Sequence, residues 1–80
     1  MTNKIAIYKN AITNSGINDI KEFMTWQLKG WNAFADNSNM SVDEMILADI
    51  EINELEAGHD MSKQDIIEIV EVHADMFLNN

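Results

Sequence analysis

Eighty residues and 9.1 kDa leave room for one domain, which at this size buries only about 60% of its unfolded surface. The absence of cysteine excludes a disulfide framework and a cysteine-based zinc site, and 46% hydrophobic with 24% charged residues is the balance of a globular chain. Fourteen acids against five lysines and no arginine give a net charge of −9, which argues against direct binding to nucleic acid or an anionic membrane.

No apolar stretch is long enough for a membrane span and no basic start leads into a cleavable leader, so a soluble cytoplasmic domain is expected. Proline is absent, glycine occurs three times, and no Asn-Gly or Asp-Gly hairpin signal occurs. The expected fold class is therefore all-α, a small compact bundle of about four helices. The first, at about 4–13, places Ile5, Tyr8 and Ile12 on one face, and Asn14-Ser15-Gly16 supplies a stop. Residues 4–8 also read as a short strand, although the rest of the chain offers it no partner. The second helix, at about 18–35, starts after Asn18 and places Ile20, Phe23, Met24, Leu28, Trp31, Phe34 and Ala35 on a 3.6-residue stripe.

The third and fourth helices, at about 42–57 and 63–78, have starts of one design. Ser41 caps with Glu44 three residues on, and Met40 and Met45 form a hydrophobic staple around it; Ser62 and Asp65 repeat the box after Met61. Gly58 is placed to end the third helix in the left-handed conformation. That helix carries two apolar seams, Met45, Ala48, Ile52 and Leu55, and Val42, Ile46, Ile50 and Ala57, with Asp49, Asn53 and Glu56 between them. One seam is expected against the second helix, and the other against the fourth helix or against another chain.

No catalytic constellation emerges. Ser15, Ser38, Ser41 and Ser62 fall in turns or caps, there is no glycine-rich phosphate loop, and a helical domain of this size rarely encloses a pocket that shifts a carboxylate. The run from Glu54 through Asp65 departs from a calcium loop, with His59 where a glycine is needed and Asp65 where a bidentate glutamate is needed. No metal, cofactor or enzymatic activity is expected. His73 falls on the apolar face of the fourth helix, as a half-buried residue with one satisfied nitrogen or as a pH-sensitive contact; His59 suits the end of the third.

The acidic residues are the strongest functional lead. Residues 1–35 hold four lysines and two acids, whereas residues 36–80 hold one lysine and twelve acids. Asp43, Glu44, Glu51 and Glu54 on the third helix and Asp65, Glu68, Glu71 and Asp75 on the fourth form two outward rows, one broad surface if these helices are antiparallel neighbours. Leu47 lies among the first row and Val72 within the second. Trp26 sits off the stripe of its helix, either packed at the core edge or exposed as an aromatic anchor. Two functions follow as expectations. The first is a non-enzymatic inhibitor or nucleic-acid mimic whose carboxylates, with Trp26 or Leu47 as anchor, block the basic groove of a partner protein such as a nuclease or nucleoprotein complex. Compact acidic blockers acting against CRISPR and restriction systems are a recurring product of phages, an analogy of class alone. The second is a helical homodimer, adaptor or regulator that uses an apolar helix face.

Overall fold

The computed structural model describes residues 3–31 and 39–79. Four helices account for the secondary structure of these residues: α1 (Lys4–Asn14), α2 (Ile20–Lys29), α3 (Val42–Ala57) and α4 (Lys63–Leu78). The all-α expectation holds, and residues 4–8 are helix rather than strand. Asn3 caps α1 by accepting from the Ala6 amide at 3.1 Å, and Tyr8, Ala11 and Ile12 turn inward. Ser15 closes the helix with its amide and its hydroxyl on the Ala11 carbonyl, and Gly16 (φ 92°) redirects the chain.

The second helix differs from expectation at both ends. Its cap is Asp19, one residue beyond Asn18, because the Asp19 carboxylate accepts from the Glu22 amide at 3.0 Å. It ends at Lys29, where the Gly30 and Trp31 amides bond back three residues to the Gln27 and Leu28 carbonyls, a tightened final turn. Phe34 and Ala35, expected on the same stripe, lie outside the described residues.

Both capping boxes form as expected. Ser41 and Glu44 exchange side-chain-to-amide bonds at the start of α3, and Ser62 and Asp65 do so at the start of α4. Gly58 ends α3 at φ 78°, and Met61, buried in the turn after it, ties that turn to the core.

Packing joins α1 most closely to α4 and α2 most closely to α3. Lesser contacts run from α1 to α3 and from α2 to α4, and α3 and α4 touch least of all the pairings. The fully buried Tyr8, Ile12, Phe23, Met24, Leu28, Met45, Ile46, Ile50, Ile66 and Val70 fill the centre. The buried positions of α3, Met45, Ile46 and Ile50, thus face a core shared mainly with α2 and α1, which corrects the expectation of a seam against the fourth helix. Leu55 and Ala57, expected on the seams, are exposed. No described helix is long and apolar enough to cross a membrane.

Candidate partner-binding surface

The acidic surface starts from the caps. Glu44 and Asp65 are bound into their boxes, and the serine amides ahead of them, followed by the serine hydroxyls, hold both carboxyls below the ordinary range. Both side chains keep their charge at the surface while closing the first turn of their helices, so they serve the fold as well as the field.

Two other predicted residues are partly neutralised within the chain. Lys4 donates to Glu54 at 2.6 Å, and the same Oε2 accepts the Met61 amide at 2.8 Å. The lysine bond, and then the amide, hold the Glu54 carboxyl below its usual range, while the same pairing raises Lys4. Lys9 pairs with Asp43. Both lysines belong to α1, so α1 clamps the flank of α3 at each end.

The other predicted residues point outward without a lysine partner among the described residues. On α3, Glu51 is exposed and shares its face with Glu44, Leu47 at 46% exposure and Leu55 at 82%. On α4, Glu68, Glu71 and Asp75 are exposed around Val72. Gln64 donates to Glu68 at 3.2 Å and Asn79 to Asp75 at 2.8 Å, neutral partners that leave the charge in place.

The two rows do not lie side by side. α3 and α4 meet at one corner, where Asn53 and Ala57 border Asp65, Glu68, Ile69 and Val72. Beyond that corner each helix follows a different neighbour, α3 packing on α2 and α4 on α1. The single broad platform expected from antiparallel adjacency is therefore replaced by two separate acidic faces, one on each helix.

Trp26 takes the edge-packed alternative. It is half-buried, stacked on Phe23 with ring centroids 5.9 Å apart and edge-on to Phe77 at 5.4 Å. Phe77 also meets Phe23 edge-on at 5.4 Å, which closes an aromatic corner between α2 and α4. His73 is half-buried as expected, its Nδ1 receiving the Gln27 amide at 2.8 Å, and His59 is exposed.

Asp49 was not singled out from the sequence, yet among the described residues it is the one acidic residue that is buried. Its carboxylate receives the Tyr8 hydroxyl at 2.6 Å, the Trp31 indole at 2.9 Å and the Asn53 amide at 3.3 Å, with no lysine among its partners. The Tyr8 hydroxyl is pushed well above its usual range by burial first and by this carboxylate second. Its place between the two apolar seams was a signal, but Asn53 and Glu56 share that place and are half-buried and exposed, so the spacing alone does not single it out. No cluster of three potential metal ligands occurs among the described residues.

No protein-family model matches this chain, and no curated protein or solved structure matches it.

Proposed function

We propose that this protein is a small, non-enzymatic acidic binder that enters a basic, concave site on another protein and blocks it, a site of the kind that holds nucleic acid. The observation carrying this reading is the pair of separate exposed acidic faces on α3 and α4. Glu44 and Glu51 lie on one and Glu68, Glu71 and Asp75 on the other, while the chain's own paired lysines are spent on Asp43 and Glu54. A flat basic surface meets only one such face, whereas a groove lined with lysine and arginine meets both. The body measures 28 × 25 × 20 Å, small enough to sit inside such a groove. Exposed Leu47 and Leu55 add apolar contact beside the carboxylates, the mixture expected of an interface whose charges steer and whose apolar groups hold.

The test is displacement of labelled duplex DNA from candidate nucleases and nucleoprotein complexes, followed by fluorescence anisotropy across a salt series. Displacement that weakens steeply as salt rises, and weakens further with Glu51→Lys and Glu68→Lys together, is the expected result. Displacement that ignores salt and both reversals overturns the reading.

One observation favours the second reading, self-association: Leu55 is 82% exposed on a face it shares with Leu47. A dimer in sedimentation that persists in high salt and is lost in Leu47→Glu/Leu55→Glu would replace the blocking reading.

A further inference from the structure

The closest helix pair, α1 and α4, leaves an open groove of about 730 Å³ along its outer side. Ile7, Ala11 and Ile67 give it an apolar floor. Its two ends differ in charge. Lys63 stands where α4 begins, and Glu71 and Asp75 stand eight and twelve residues further on, about 12 and 18 Å along the helix axis at 1.5 Å per residue.

The acidic end is more negative than its two carboxylates alone. Asn14 and Ser15 at the end of α1 and Leu78 at the end of α4 line the same groove, so both helix C-termini lie beside it. Neither helix carries a basic residue in its last turn to offset its dipole. Glu71 and Asp75 have no lysine partner among the described residues. An apolar trough with one uncompensated negative end and one lysine end is complementary to an amphipathic segment that is cationic at one end.

We propose that this groove receives a basic amphipathic helix of the blocked partner, its leucine-type side chains on Ile7, Ala11 and Ile67 and its arginines or lysines at Glu71 and Asp75. This assignment rests on the blocking reading for the partner's basic character, and it adds where the contact is made and in which direction. Lys63 sets the polarity, because a segment cationic along its whole length would bring like charges together there. A planar guanidinium suits the acidic end, since the carboxylates and the Asn14 side chain present several acceptors to its fork of donors.

The probe is a synthetic amidated peptide of about 14 residues, which as a helix spans about 21 Å. It carries leucines on one face and two arginines at one end; a control peptide has glutamates in place of the arginines. Titration into the isotopically labelled 80-residue chain, read by amide chemical shifts, should move residues 10–15 and 67–75 with the arginine peptide alone. Glu71→Lys with Asp75→Lys should weaken binding by about tenfold or more, and Glu51→Lys by less than about twofold. Shifts centred on Glu44, Leu47 and Glu51, equal binding of the control, or no saturable binding would each overturn the groove assignment. DNA displacement that survives the Glu71 and Asp75 reversals but fails with Glu51→Lys sinks the groove and leaves the blocking reading. A peptide seated in the groove of a protein that displaces DNA from no partner sinks the blocking reading instead.

Discussion

Replacing Asp49 by alanine removes an acceptor shared by Tyr8 of α1, Trp31 just after α2 and Asn53 of α3, and should be the most damaging polar substitution among the described residues. Tyr8 is 1% exposed, so its orphaned hydroxyl costs about 1–3 kcal/mol. The Trp31 indole and the Asn53 amide are half-buried and can recruit water, so each adds about 0.5–1 kcal/mol. The total of about 2–5 kcal/mol compares with about 4–12 kcal/mol for a whole domain of this length. The opposing effect is the cost of burying a carboxylate with no cation beside it, which runs to several kcal/mol for an isolated ion. Three donors, one of them a 2.6 Å hydroxyl, are the compensation the structure provides. Urea unfolding followed by far-ultraviolet circular dichroism should therefore order the proteins as wild type, then Tyr8→Phe and Asp49→Asn, then Asp49→Ala. An Asp49→Ala protein within about 0.5 kcal/mol of wild type would show that desolvation cancels the three bonds and would refute the reasoning. The pair Tyr8→Phe/Asp49→Leu removes donor and acceptor together and should recover at least about 1 kcal/mol of the Asp49→Ala loss.

The Glu54 carboxyl is held below its unfolded value, so its contribution is present above that value, near pH 4.3, and is lost as pH falls through the folded value. Glu54→Gln should accordingly lower Tm at pH 7 while flattening the fall of Tm below about pH 4.5 in calorimetry; parallel curves for the two proteins would contradict this. Gly58→Ala meets no atom within 4 Å of the added carbon, so its cost is the left-handed backbone alone, about 1–2 kcal/mol, and Gly58→Asn should cost less in the same urea assay. Ser41→Ala and Ser62→Ala each break a capping box and should each cost about 1 kcal/mol, adding without coupling when combined.

Local chemistry made the helix starts legible. A serine followed three residues later by an acid names its own hydrogen bonds, and α3 and α4 begin where Ser41 and Ser62 predict. At α2 two adjacent residues are good caps, and the choice of Asp19 over Asn18 turns on which side chain reaches the Glu22 amide. Its end was harder still, because the apolar period continues past Gly30 while Trp31 is held by Asp49, eighteen residues away, a pairing no local pattern encodes. The order of packing was hidden for a related reason. α3 is apolar over a wide arc, so its periodicity fits a seam against any neighbour, and only the three-dimensional arrangement places α1 and α2 there. Of the candidate surface, the outward direction of Glu51, Glu68, Glu71 and Asp75 followed from helical spacing, whereas the pairing of Asp43 and Glu54 with lysines of α1 did not.

The two tryptophans occupy such different surroundings that they act as separate optical reporters. Trp26 is wedged among phenylalanine rings, and Trp31 gives its indole proton to a carboxylate. In a Trp26→Phe protein the remaining emission would report on the Asp49 cluster alone, so loss of the contact between Trp31 and α3 has its own spectral signature.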